Sequence, residues 1–245
     1  MTLKVYLTDA YAKEADANIT AINSNEVEFD KTVFYPTGGG QLHDTGEISI
    51  NGVNYKVNEV KKDGDRVIHV LDRPIDANVG DAVHLKIDWD RRYAHMRYHT
   101  ALHVLDGILE NHEAGKQFNA APGAITGGQI YHNRARIDFD MEGFSREKAQ
   151  QLLDITQKFI DEGHAIYVKF LTREEADKMP NLARTEPGRE LLKKLTEIRI
   201  VGIDGLDAQL DGGTHVSNTK EIGKMTLTNY ESKGSRRKRI EIVLS

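Results

Sequence analysis

At Asp88-Trp89-Asp90 the hydrophobic period of the chain changes from about 2 residues to about 3.6, and this switch narrows the folds open to it. Upstream, the runs 3–7, 26–29, 47–50, 55–57, 67–70 and 83–87 are short and β-rich. They are punctuated by the turn chemistries Asn51-Gly52, Asp63-Gly64-Asp65 and Val79-Gly80-Asp81. Strands at such spacing predict a small antiparallel barrel or sandwich. Residues 10–22 carry a weak helical signal.

Downstream, Ala94, Tyr98, Leu102, Leu105, Ile108 and Leu109 form one apolar stripe, which predicts a helix over 90–111. Strands are expected at 124–131 and 134–139, with Asn133 at the turn between them. Ser145 is placed to cap a helix running to Glu162 and closed by Gly163. A strand over 165–171 leads to Thr172-Arg173-Glu174-Glu175, which has the form of a capping box. A short helix begins near Pro187 and runs to Lys194, and strands recur at 198–203, 223–230 and 239–244. The fold class is α+β: a small N-terminal antiparallel β-barrel (1–88) carrying a glycine-rich loop, packed on an α+β domain (89–245) with a mainly antiparallel sheet.

The 245 residues suffice for one large domain or two modest ones. No apolar run reaches the length of a membrane span and the N-terminus lacks signal-peptide features, so a cytoplasmic protein without membrane partners is expected. The absence of cysteine excludes disulfides and thiolate ligands, leaving nitrogen and oxygen to hold any metal. A net charge of −5 argues against a surface coated for nucleic acid but not against a local basic patch.

On the helix over 90–111, His99 and His103 stand four positions apart and share a face. Alone, such a pair is more often a surface or core pair than a metal site. Asp211 and His215 form a second four-residue pair in a Gly-Gly segment between two expected strands. Together the pairs supply three imidazoles and one carboxylate, a tetrahedral donor set of the kind zinc takes. A third feature, Gly38-Gly39-Gly40 after Pro36, permits positive φ and close backbone approach to a ligand, though such a run is also found in a plain turn.

Three motifs now stand in order: Phe34-Tyr35-Pro36-Thr37-Gly38-Gly39-Gly40-Gln41 with Asp44-Thr45-Gly46, then His99-Thr100-Ala101-Leu102-His103, then Gly212-Gly213-Thr214-His215-Val216 with Glu221-Ile222-Gly223. This ordered set resembles the editing region of alanyl-tRNA synthetase, and more specifically the free-standing trans-editing AlaX proteins of medium length. The chain is too short to hold an ATP-dependent aminoacylation domain as well. The resemblance implies hydrolysis of the ester that joins serine or glycine to alanine-specific tRNA. It also implies one Zn2+ per chain. The family's usual set has a cysteine where this chain has Asp211. Aspartate is a harder ligand than thiolate, so another divalent ion could take the place of zinc. A three-histidine site, with Asp211 orienting a ligand or a water, stays open beside direct ligation.

The resemblance places Thr126 where a threonine senses the serine hydroxyl, with Thr100 in reserve. A pocket that hydrogen-bonds that hydroxyl leaves its own group unpaired when alanine enters, which is the source of selectivity. Gly38, Gly39 and Gly40 would bring bare backbone to the small substrate or the tRNA 3′ end, and Gln41 would hydrogen-bond there. Arg91, Arg92 and Arg97 by the helix and the run Arg236, Arg237, Lys238 and Arg239 are the expected phosphate contacts. Two rival readings stay open: a metal-free, catalytically silent tRNA-binding module, and a metallohydrolase of small esters or amides. No obligate protein partner is implied, and the oligomeric state is left open.

Overall fold

Alternation of inward apolar and outward polar residues builds the first part of the chain. The computed structural model describes residues 2–179, 181–184 and 186–245. The chain divides into two units, Met1–His95 and Met96–Ser245. The first contains β1 (Leu3–Lys4), β2 (Glu14–Asn23), β3 (Glu26–Phe29), β4 (Lys31–Thr32), β5 (Gly46–Ile50), β6 (Val53–Asp63), β7 (Arg66–Leu71) and β8 (Ala82–Ile87). Six of them, ordered β2-β3-β7-β6-β5-β8, close into a barrel with antiparallel neighbours throughout. Closure removes the exposed edges that an open sheet of this size would present. Phe29, Ile48, Val60, Val67 and Leu85 are fully buried inside.

Two expectations for this region are overturned. Residues 10–22 are not helical: Ala17 and Ile19 alternate with exposed neighbours and face the barrel core as part of β2. Residues 3–7 are not one strand either. β1 covers two residues in parallel pairing with β4, and Val5–Leu7 turns into a 3-10 helix that buries Tyr6.

The barrel interior holds one imidazole, His69, fully buried and edge-on to Phe29 and Phe34 at 4.8 and 5.4 Å. Its Nδ1 lies 3.2 Å from the Val27 carbonyl and its Nε2 lies 2.8 Å from the Thr32 hydroxyl. The carbonyl can only accept, so Nδ1 carries the proton and Thr32 donates to Nε2. A neutral ring is thus fully satisfied, and burial lowers its pKa from 6.5 to about 4.

The glycine run is a tight reverse turn. Gly38 and Gln41 exchange both backbone hydrogen bonds, at 3.0 and 2.9 Å, while Gly39 and Gly40 between them take φ of 57° and 80°. Positive φ at both central residues is the type I′ signature, which explains glycine at these two positions. The Tyr35 hydroxyl donates to the Gly38 carbonyl at 2.9 Å and ties the turn down.

The helix α1 (Trp89–Asn111) starts at the period switch, as the sequence predicts. The second unit continues with β9 (Ile125–Ile130), β10 (Ala135–Asp140), α2 (Arg146–Glu162), β11 (Ile166–Thr172), α3 (Arg173–Asp177), α4 (Glu186–Lys194), β12 (Glu197–Ile203), β13 (Asp207–Leu210), β14 (Met225–Ser232) and β15 (Arg237–Leu244). Strands β14-β15-β10-β9 form one antiparallel sheet and β11-β12-β13 another. Ser145 caps α2 through the Lys148 N–H, Gly163 ends it at φ 86°, and Thr172 and Glu175 complete the capping box of α3. Strand β13 was not anticipated. Arg184 bridges Asp106 of α1 at 2.5 Å and Asp207 of β13 at 2.7 Å, and so fixes the strand that delivers Asp211.

Candidate metal centre

Helix α1 presents His99 and His103 on one face, and the segment leaving β13 brings Asp211 and His215 up to them. The four expected ligand residues are therefore together, with one candidate ligand atom from each within 4.8 Å of the others. The ring centroids of the three histidines are 4.4–5.0 Å apart. Asp211 divides its oxygens. Oδ1 lies 3.5 Å from Nε2 of His99 and 3.8 Å from Nε2 of His103. Oδ2 lies 3.0 Å from Nε2 of His215 and accepts the Gly213 N–H at 2.6 Å.

Gly213 is required here for space rather than for φ. A Cβ at this position would lie 2.2 Å from Cε1 of His99 and 2.4 Å from its Nδ1. Gly212 has nothing within 4 Å of the equivalent point. The Gly-Gly pair visible in the sequence is thus one obligatory glycine and one spatially unconstrained.

Burial drives His99 well below the ordinary imidazole range and His215 down to about 4, so both rings are neutral at pH 7. For Asp211 burial acts upward, but the nearby His99 and the contact with His215 outweigh it and hold the carboxyl well below its ordinary value. Two imidazoles kept neutral by burial, the His103 ring and one carboxylate converge here.

This donor set fits a divalent cation. A tetrahedral ion about 2.0–2.1 Å from each ligand sets the ligand atoms about 3.4 Å apart. Measured to Oδ1 of Asp211, Nε2 of His99 and of His103 stand at 3.5 and 3.8 Å, close to that value, while His215 approaches the same carboxylate at Oδ2, 3.0 Å away. A second observation concerns Thr100, fully buried on α1. Its hydroxyl lies 2.9 Å from the Met96 carbonyl, accepts the Val216 N–H at 3.2 Å and stands 3.1 Å from Nδ1 of His215. Nε2 of the same ring faces the Asp211 carboxylate, so Thr100 sets the orientation in which His215 meets the other three residues.

Residues 198–241 match the family model described as the threonyl and alanyl tRNA synthetase second additional domain, and residues 3–91 match that of class II (A) tRNA synthetases. The alanyl-tRNA editing protein AlaX-M of Saccharolobus solfataricus is 39% identical over 242 residues, 98% of this chain and 98% of that protein. The chain belongs to the AlaX-M family. AlaX-M of Methanosarcina acetivorans is 35% identical over 254 residues, covering 100% of this chain and 99% of that one. The alanine–tRNA ligase of Ignicoccus hospitalis is 37% identical over 92% of this chain, a match that spans 24% of the ligase.

Elsewhere in this AlaX-M family member, the expected site residues part company. Thr126 is exposed on β9, its hydroxyl 3.3 Å from the Asp138 carbonyl, whereas Thr100 is committed within the protein. Gly39 is exposed at the tip of its turn and Gly38 and Gly40 are partly so, but Gln41 is fully buried, which corrects the expectation that its side chain meets a ligand.

Arg92 is a further correction. It is fully buried and its guanidinium holds Asp44 and the carbonyls of Val33 and Ala10, so no phosphate reaches it. Lys238 is buried too, with Nζ on Ser232 and the Gly234 carbonyl. Arg91 donates to the His43 carbonyl at 2.9 Å, and Arg97 to those of Ile222 and Ser245 at 2.7 and 3.2 Å. Arg239 pairs with Asp138 and Arg236 with Asp140, while Arg237 is exposed at the start of β15.

The residue that sequence reasoning missed is Arg199. It is 7% exposed on β12, the middle strand of its sheet. Its Nη1 donates to the Asp211 carbonyl at 2.6 Å and lies 3.7 Å from Oδ2. The available signal was a lone charge inside Ile198-Arg199-Ile200-Val201, an otherwise apolar strand. Among the described residues, no helix is long and apolar enough to cross a membrane.

Proposed function

We propose that this protein hydrolyses the ester of alanine-specific tRNA wrongly charged with serine or glycine, using one divalent metal ion held by His99, His103, Asp211 and His215. The observation that carries this reading is the convergence of those four side chains from two distant stretches of an AlaX-M family chain. Zinc is the proposed ion. The nitrogen-rich set also accepts other late first-row ions, because Asp211 supplies oxygen rather than sulfur. When bound, the ion supplies Lewis-acid chemistry: it favours a water nucleophile near neutral pH and stabilises negative charge developing on the ester.

The chain's own groups supply position and selection. His99 and His215, neutral through burial, offer lone pairs without first losing a proton. Thr126 is proposed as the hydroxyl sensor, because its own hydroxyl is exposed where that of Thr100 is committed. A serine side chain pairs with it and alanine leaves it unpaired, which gives discrimination in the editing direction. The exposed turn at Gly38, Gly39 and Gly40 is proposed to meet the tRNA end through its backbone. Arg237, with Arg236, Arg91, Arg97 and Arg239 in lesser roles, is proposed to meet phosphate.

The test is deacylation of alanine-specific tRNA carrying serine, glycine or alanine. The reading predicts that the serine or glycine ester is cleaved, that the alanine ester is spared, and that His103→Ala loses the activity. A metal-loaded protein that leaves both wrong esters intact would contradict it. Loss of tRNA binding with retained cleavage of simple esters would favour a small-ester metallohydrolase.

A further inference from the structure

Aspartate as a ligand raises a problem of its own. A carboxylate has two oxygens and turns about two side-chain bonds, so a metal site built on it needs a device that selects one oxygen and one orientation. In this chain Oδ1 faces His99 and His103, and Oδ2 is held by the Gly213 N–H at 2.6 Å and lies 3.0 Å from Nε2 of His215. Behind Oδ2 stands Arg199, with Nη1 at 3.7 Å from that oxygen and 2.6 Å from the Asp211 carbonyl. The two residues are also joined in the other direction, since the Asp211 N–H donates to the Arg199 carbonyl at 3.3 Å. Arg199 thus touches both the backbone and the side chain of Asp211, from the middle strand of a sheet.

We infer that Arg199 is a positioning residue that fixes Asp211 as a one-oxygen ligand presenting Oδ1 to the ion. The inference rests on the metal-site reading above. A cation this close to a second cation costs Coulomb energy, so its presence needs a compensating gain. Anchoring the ligand is that gain. The guanidinium lies on the Oδ2 side, leaving Oδ1 free between the helix imidazoles. Its hydrogen bond to the backbone carbonyl fixes where the Asp211 Cα sits, and the Gly213 N–H then fixes the rotation of the carboxylate.

The experiment is a Co2+ titration of the full chain, followed by visible absorption and by chelator competition, on wild type, Arg199→Met and Arg199→Lys. Far-ultraviolet circular dichroism and the thermal midpoint of the metal-free proteins are recorded alongside. Arg199→Met is expected to stay folded and to bind Co2+ about 10–100-fold more weakly, with an altered absorption band. Arg199→Lys, which keeps one donor, is expected to recover part of that loss. A folded Arg199→Met with wild-type affinity and band would overturn the inference. Should Arg199→Met not fold, Arg199→Lys decides: a changed band on a wild-type fold supports the inference, and an unchanged band and affinity overturn it. If neither variant folds, Arg199 is a folding residue and the inference is also overturned. Failure of the wild type itself to take up Co2+ would instead remove the metal-site reading beneath it.

Discussion

The Thr100 hydroxyl lies 3.1 Å from Nδ1 of His215, across 115 residues of sequence, and it also receives the Val216 N–H. One buried oxygen therefore holds both the ring and the backbone of the segment that carries two of the four site residues. Thr100→Val keeps the shape and removes the hydroxyl, leaving the Val216 N–H and Nδ1 of His215 without this partner. It should destabilise the protein by about 1–3 kcal/mol and weaken metal binding about 10-fold or more. Thr100→Ser should be close to wild type in both. Urea unfolding and chelator competition provide the readings.

The Gly-Gly pair gives a sharper contrast. Gly213→Ala places a methyl group 2.2 Å from the His99 ring, so either the ring or the segment must move. A shift of about 1 Å at such a site costs on the order of 100-fold in rate. Gly212→Ala, with open space at the same point, should retain activity. Deacylation kinetics on the two single variants decide, and equal losses would show that the clash is not what makes Gly213 necessary.

Arg92 and Asp44 form a fully buried ion pair in the barrel unit, with both side chains at zero exposure. Removing one partner strands the other, so Arg92→Met should cost about 3–5 kcal/mol. Its tRNA affinity, measured under conditions where the variant is folded, should keep the wild-type dependence on salt, because no phosphate contact is lost. Arg237→Ala should behave the opposite way, with unchanged stability and a shallower salt dependence.

The barrel should lose stability in mild acid through His69. Folded, the ring titrates near 4; unfolded, it returns to 6.5. Between these values the unfolded chain holds the extra proton, so stability falls as pH drops through the window, by about 1.4 kcal/mol per unit for one group. Above it the contribution is level, and below it no more is lost from this residue. Urea midpoints of wild type and His69→Gln over this range should converge as pH falls, since other buried histidines contribute to both. Parallel curves would contradict the assignment.

Much of this was legible in the chain itself. The period switch marks the start of α1, and the caps at Ser145 and Thr172 stand where local chemistry puts them. The four site residues could be paired by spacing because each pair is four positions apart and chemically distinctive. What was not legible depends on distant partners. β2 reads as a poor helix because its inward positions include small alanines, and closing the barrel makes it a strand. Arg92 and Lys238 look like surface charge until Asp44, Ser232 and several carbonyls surround them. Arg199 has no meaning in sequence until β12 lies beside Asp211.

The most direct measurement is metal content by elemental analysis, paired with deacylation of serine-charged, alanine-specific tRNA before and after chelation. The account predicts about one divalent ion per chain, loss of activity when it is withdrawn, and recovery when it is returned. A protein purified without any divalent ion that still cleaves the serine ester at full rate would contradict it.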